Sequence, residues 1–290
     1  MACRGSDNPD FNGGEDTSSS PGVDQASTGH DLNGSPKRLG VNRRRRRSLS
    51  RVAGKHLNGR GAKLPPWDHP ALAEARTLYP ATVRREADVN RALKSGFNSS
   101  KIGAVVHKGR WAGLPVYSLT LEERATCPTS CRHWRSCYGN GTYQAERLAA
   151  GPDLERRLEL ELAELASSHP AGFVVRLHVL GDFYSVAYVE FWARMLDRHP
   201  AMRVFGYSAR WQDDDPIALA LAELVRGRWD TFAIRLSNAP LRERTTVSVE
   251  HPIQVPPGAV LCPAQVGRTE SCTTCALCWQ TVRPIAFLQH

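Results

Sequence analysis

A chain of 290 residues, 41% of them hydrophobic, is long enough to bury one substantial core. No stretch approaches the roughly eighteen consecutive apolar residues that a membrane helix needs, and Met1–Phe11 lacks the apolar centre of a secretory signal. The net charge of +9 is lopsided: residues 1–63 hold 12 Lys and Arg against 6 Asp and Glu, a net +6, which leaves +3 for the other 227 and a nearly balanced core.

Residues 1–36 are rich in Gly, Ser, Asp, Asn and Pro and cannot bury enough surface to fold. Residues 37–63 are basic, with the run Arg43–Arg47. That run reads as a solvated tail or as an electrostatic hold on nucleic acid. From Leu64 the sequence becomes foldable. Ile102–Val106 and Leu114–Leu119 read as two short strands around a polar turn. A helix follows over about 153–168, with Leu154, Leu158, Leu162 and Leu165 on one face and Gly151-Pro152-Asp153 as its start signal. Phe173–Leu180 is strand-like, and Ser185 caps a second amphipathic helix through Leu196. Met202–Ser208 is a strand, Ile217–Val225 a helix and Thr231–Leu236 another strand. Alternation at this spacing predicts parallel βα units.

Seven of the eight cysteines fall into two sets. Cys127, Cys131 and Cys137 form C-x3-C-x5-C, followed by Tyr138; Cys262, Cys272, Cys275 and Cys278 form C-x9-C-x2-C-x2-C. With no secretory signal the expected compartment is the reducing cytoplasm, where metal ligation outranks disulfides. Three thiolates leave one position of a tetrahedral metal or a cubane open, and four close it. The quartet resembles ferredoxin-type ligation, which favours a [4Fe–4S] cluster there, with zinc as the alternative.

The chain holds no phosphate loop, dinucleotide fingerprint, zincin motif or serine-hydrolase elbow. What remains is a series of polar strand ends. Arg176, His178, Gly181 and Asp182 end one strand, Tyr207 and Arg210 the next, and Ser237 the third. Ligands of parallel α/β proteins bind at such carboxyl ends, so these residues are candidates to line one pocket. Arg176 and His178 alternate, which puts both on one face of their strand. His178 is either a satisfied core histidine or a proton carrier, and Asp182 either a helix cap or a ligand acceptor.

Several of these blocks resemble the phage-encoded family catalogued as gene product 88. They are Asn98-x-x-Lys101-Ile102-Gly103, Tyr117-Ser118-Leu119-Thr120 before Thr126-Cys127-Pro128, Cys137-Tyr138, Arg176-x-His178-x-x-Gly181-Asp182-Phe183, and Cys262-Pro263-Ala264-Gln265 through Cys278-Trp279. The resemblance covers about residues 95–290 and implies no activity. A more distant likeness is to the radical S-adenosylmethionine enzymes, in which a three-cysteine loop after the first barrel strand precedes a glycine–acidic–proline motif ending the second. The triad here is spaced x3 then x5 rather than x3 then x2, and Phe183 stands where proline is usual. That likeness implies a [4Fe–4S] cluster on the triad and S-adenosylmethionine on its open iron. It further implies cofactor contacts from Gly181, Asp182, Tyr138, Tyr207 and Ser237, with His178, Arg176 and Arg210 nearest the substrate. A reductant such as ferredoxin or flavodoxin would be needed.

The expectation is therefore an α/β protein: a basic tail over 1–63, a partial (β/α) barrel with the three-cysteine loop over 64–255, and a four-cysteine C-terminal appendage over 256–290. Its expected function is that of an iron–sulfur enzyme of radical S-adenosylmethionine type on a nucleic-acid or peptide substrate, without a membrane. A zinc- or cluster-stabilised nucleic-acid-binding protein and a redox-sensing regulator are the alternatives.

Overall fold

Runs of valine, isoleucine and phenylalanine that lie between amphipathic helices have one economical arrangement, side by side in a sheet that the helices cover. The computed structural model describes residues 64–289. The expected basic tail over 1–63, and the nucleic-acid partner assigned to it, lie outside the described residues. In chain order the elements are α1 (Pro70–Ala73), β1 (Val83–Arg84), β2 (Lys94–Ser95), β3 (Val116–Ser118), β4 (Arg147–Leu148), α2 (Pro152–Ser168) and β5 (Phe173–Leu177). Then come α3 (Val186–Arg198), β6 (Met202–Ser208), α4 (Pro216–Arg228), β7 (Phe232–Ser237), β8 (Thr245–Val249), β9 (Val260–Leu261), α5 (Cys272–Cys275), α6 (Leu277–Gln280) and β10 (Ile285–Leu288). No helix among the described residues is long and apolar enough to cross a membrane.

The three long helices start where local chemistry satisfies their first N–H groups. Pro152 opens α2, with Asp153 and Glu155 in its first turn complementing the helix dipole. The Tyr188 N–H donates to Ser185 Oγ at 3.0 Å at the head of α3. Asp215 caps α4, accepting the Ile217 N–H at 2.9 Å. Leu154, Leu158, Leu162 and Leu165 of α2 are buried, as their spacing requires.

Eight strands form one open sheet in the order β2-β3-β5-β6-β7-β8-β10-β9, and β1 pairs with β4 separately. Only β2 runs antiparallel to its neighbour in the large sheet. From β3 to β8 the strands of this sheet follow one another in chain order without reversal. Right-handed crossovers then place α2, α3 and α4 on one face, where adjacent helices pack against each other. Register assigns the two faces. Val175, Leu177, Val204, Gly206 and Ile234 look towards the helices; Arg176, Phe205, Tyr207 and Arg235 look the other way. The second face is covered by α6 and its neighbours: Trp279 lies 4.5 Å from the Phe205 ring and stacks on Trp111 at 5.2 Å.

The expected mixed α/β class is present as this one open, mostly parallel sheet. Three other expectations need correction. Residues 102–106 do not make a strand; Val105 forms only an isolated bridge to Pro115, because the N–H groups of Ile102 and Gly103 turn back to the Ser99 carbonyl and the Ile102 carbonyl accepts the Thr273 N–H. The strand from Phe173 stops at Leu177. Finally, the last 35 residues do not stand apart as an appendage, since β9 and β10 extend the main sheet.

Gly206 marks the tightest point of the sheet. A Cβ built there would lie 1.5 Å from the Leu177 carbonyl oxygen, closer than any side chain tolerates. Gly206→Ala is expected to cost about 3 kcal/mol or more, as a clash in a close-packed core with no room to yield. Urea unfolding of the variant against the parent measures it, and a loss below 1 kcal/mol on that scale, roughly, would show that the strands can part.

Candidate functional site

The three-cysteine loop leaves β3 and returns at β4. Its shape is set by buried charge rather than by apolar packing. Arg147 and Glu123 form an ion pair at 2.6 Å with both side chains fully buried. Glu123 also accepts the Thr77 hydroxyl at 2.8 Å, and Arg147 donates to the carbonyls of Ala145 at 2.7 Å and Gly139 at 3.1 Å. Arg124, at a left-handed φ of 64°, donates from Nε to the Trp134 carbonyl at 2.9 Å, and the Asn140 amide donates to the Arg135 carbonyl at 2.7 Å. The loop's inward carbonyls thus meet side-chain donors, which a buried irregular segment requires. Sequence reasoning passed over Glu123, Arg124, Asn140 and Arg147. The available signal was the charged run Glu122-Glu123-Arg124 ahead of Cys127.

Within this loop Cys127 feels both Cys131 and Cys137, so the triad is gathered. Burial, then Asp182, then the other two thiols push Cys127 well above the usual thiol range; burial pushes Cys131 up to about 11 and Cys137 upwards. His133 of the loop reaches Ser248 at the end of β8, Nε2 to Oγ 2.9 Å. The loop therefore sits over the carboxyl ends of the strands.

Gly181 and Asp182 lock that edge to the loop. Gly181 has φ 83°, and the space its missing side chain leaves is filled by Leu121 and Thr126, each 2.6 Å from where a Cβ would be. The Asp182 N–H donates to Thr126 Oγ1 at 3.0 Å, while its carboxylate accepts the N–H groups of Phe183 at 2.8 Å and Ala209 at 2.7 Å. Burial lifts this carboxyl to about 6 against those hydrogen bonds. Arg210 is similarly committed: it donates to the Phe183 carbonyl, to the Thr126 carbonyl at 3.2 Å and to Asp215 Oδ2 at 2.8 Å. Beside it opens a cavity of about 400 Å³ lined by Trp211, Gln212, Asp213, Asp214, Pro240 and Arg242.

The cysteine quartet lies elsewhere, against the second face of the sheet. Cys262, Cys272, Cys275 and Cys278 act on one another electrostatically, and burial pushes Cys262 and Cys272 up to about 12. Tyr207 Oη is 2.8 Å from Cys278 Sγ. The Arg176 guanidinium lies 4.6 Å from the Tyr207 ring centre and 5.5 Å from that of Phe205, within electrostatic reach of Cys272 and Cys278. Arg235 donates to the carbonyls of Cys278 and Arg283, each at 2.9 Å. Neither guanidinium has a carboxylate partner among the described residues, and burial lowers both pKa values. The first turn of the quartet is held by the segment before β3: the N–H groups of Cys272 and Thr273 donate to the carbonyls of Lys101 at 2.9 Å and Ile102 at 3.0 Å.

The candidate residues therefore separate into three groups rather than lining one pocket. Asp182, Gly181 and Arg210 serve the triad edge, whereas Arg176 and Tyr207 face the quartet. His178 does not share the face of Arg176, because β5 ends before it; its ring packs among Phe183 and Tyr188 beside α3. Tyr138 is not a core residue: it is 46% exposed, with Lys101 Nζ 5.0 Å from its ring centre. Ser237 ends β7 half-buried, its hydroxyl 3.5 Å from Thr246 Oγ1. All seven cysteines are free thiols. Among the described residues no three or more His, Cys, Asp or Glu side chains stand in an arrangement that could hold a metal ion as they are. The model of the family described as Gene product 88 matches residues 85–281. No curated protein and no solved structure matches the chain.

The placement of His178 has a pH consequence. Burial, then the nearby Arg176, lowers its pKa to about 3, while the unfolded chain takes up the proton near 6.5. The stability it contributes is complete above pH 6.5 and is lost as pH falls towards 3, by up to about 1.4 kcal/mol per pH unit. His178→Gln, which can keep the hydrogen bond to Tyr188, should lose less stability than the parent between pH 7.5 and 5. Parallel losses in urea titrations at the two pH values would show that His178 is not buried neutral.

Proposed function

We propose, on the premise that this chain belongs to the gene product 88 family and that the family's span takes in all seven of these cysteines, that it is an iron–sulfur protein with two sites of different kind. Cys262, Cys272, Cys275 and Cys278 would hold a closed, supporting cluster. Cys127, Cys131 and Cys137 would hold a second one with an open position at the carboxyl edge of the sheet. The observation that carries the reading is the half-buried Arg176 guanidinium, without a carboxylate among the described residues, facing Cys272 and Cys278. A cation drawn out of water without a counter-charge is costly, and thiolates on a bound cluster are the anions this corner can offer. The donor set fits, being wholly sulfur. The sulfurs do not yet stand in ligating geometry.

A bound cluster supplies one-electron chemistry and, with a position open, a place for a cofactor or substrate to bind. The chain's own residues would do the rest. Arg176 and Arg235 balance the negative charge of the quartet, and Tyr207 Oη has a hydrogen-bonding position on Cys278. Asp182 and Arg210 fix the triad loop to the strand ends. The cavity beside Trp211 is the space for a small cofactor, and S-adenosylmethionine is the candidate we put forward for it. Read in this way, the unbroken strand order from β3 to β8 is the wall of a partial barrel. Gly181 and Asp182 would then act by positioning the loop, since their side-chain space and oxygens are already taken by protein.

Protein purified without oxygen is expected to be brown, with about eight iron atoms and matching acid-labile sulfide. Cys275→Ser should lower both iron content and thermal midpoint; Cys131→Ser should remove about half the iron and leave the midpoint nearly unchanged. A colourless protein carrying zinc at the quartet would overturn the iron–sulfur reading and leave a zinc-stabilised binding module in its place.

A further inference from the structure

We propose that the rim between the two cysteine groups is a stacking platform for single-stranded nucleic acid. The inference stands on surface residues and does not depend on which metal, if any, the cysteines take.

Four aromatic rings are left largely in solvent on segments that meet at this rim: Phe97 is 83% exposed, Trp67 73%, Tyr143 59% and Tyr138 46%. Several aliphatic side chains are exposed too, among them Ile253 and Leu160, but among the described residues the exposed aromatic rings are confined to the triad loop and the segments around it. Two of them already carry a cation. The Arg135 guanidinium lies 4.6 Å from the Trp67 ring centre, and Lys101 Nζ lies 5.0 Å from that of Tyr138. Arg135 and Tyr138 are three residues apart in the triad loop, and Lys101 accepts the Cys272 N–H through its carbonyl. Trp67, Arg135, Tyr138 and Lys101 thus follow one path across the triad loop to the quartet, with Tyr143 on the same loop and Phe97 four residues before Lys101 in the chain.

The exposed charge along that path is mostly positive. No Asp or Glu occurs in residues 95–121 or in residues 124–145, although these segments hold Lys101, Lys108, Arg110, Arg124, Arg132 and Arg135. Arg110 is paired with Asp230 and Arg124 is buried, which leaves Lys101, Lys108, Arg132 and Arg135 for a partner. Asp68, beside Trp67, is an exposed acid close by in sequence. Arg135 also donates to the Pro65 carbonyl at 2.7 Å, which holds the first described residues against the triad loop. Exposed ring faces interleaved with cations suit unpaired bases with their phosphates: the bases stack and the cations neutralise the backbone. A duplex keeps its bases stacked inside and cannot use the rings, so it would be held by charge alone.

The test is fluorescence anisotropy with the full chain and a labelled 20-nucleotide poly-dT strand, a poly-U strand of equal length, and a duplex of equal length. Both single strands are expected to bind at least tenfold more tightly than the duplex. Phe97→Ala combined with Tyr143→Ala should weaken single-strand binding at least tenfold while leaving metal content and thermal midpoint as in the parent. Phe97→Trp, which keeps a stacking face, should retain the affinity. Equal affinity for duplex and single strand, or no loss in the double alanine variant, would overturn the proposal and leave charge attraction by the basic sequence of residues 37–63. Binding of vesicles of phosphatidylserine and phosphatidylcholine without binding of any oligonucleotide would overturn it in favour of a lipid surface.

Discussion

Two guanidinium groups on one face of a parallel sheet, one buried and one half-buried, constrain the molecule more than any other feature. Arg176 on β5 and Arg235 on β7 lie on the side away from the helices, and among the described residues no carboxylate reaches either. Left so, the buried Arg235 would oppose folding by several kcal/mol, and Arg176 by less. The C-terminal segment answers them. Arg235 is met by the carbonyls that α6 leaves unpaired at its end, among them Cys278 and Thr281, and by that of Arg283. Arg176 is met by the ring faces of Phe205 and Tyr207 and by the thiols of α5 and α6. Once that segment is seated, Trp279 closes on Phe205 and Trp111, and β10 can pair with β8. Charge compensation, aromatic packing and strand order are one event.

Much of this could be read in the sequence where the signal was local. The leucine spacing of α2, the Ser185 cap of α3 and the apolar runs of β6 and β7 report contacts made within each element or on one face of it. What was not legible depends on distant partners. Sequence reasoning assigns no element to Thr245–Val249, yet it becomes β8 because β7 and β10 flank it. Ile102–Val106 reads as a strand, yet its Ile102 carbonyl and its neighbour at Lys101 serve α5. The alternation of Arg176 and His178 failed for a simpler reason: period-two reasoning holds only while the strand lasts, and β5 ends at Leu177.

The two cysteine groups differ in surroundings as well as in number. Around the triad lie Asp182 and Glu123 as well as Arg124 and Arg147, so the loop is already close to neutral before anything binds. Around the quartet lie Arg176, Arg235 and Lys101, with Tyr207 beside the thiols. The quartet is accordingly where thiolate formation gains most, despite burial that lifts Cys262, Cys272 and Cys278. The triad is where a further negatively charged ligand meets most resistance, from Asp182, unless that carboxyl is protonated.

The central claim is that the quartet by itself holds iron through sulfur alone. Iron K-edge absorption on the variant Cys127→Ser/Cys131→Ser/Cys137→Ser, purified without oxygen, isolates that site. The account predicts retained iron whose neighbours are all sulfur or iron, as in a cysteine-ligated cluster. Loss of all iron with the triad, or neighbours that are oxygen and nitrogen, would contradict it.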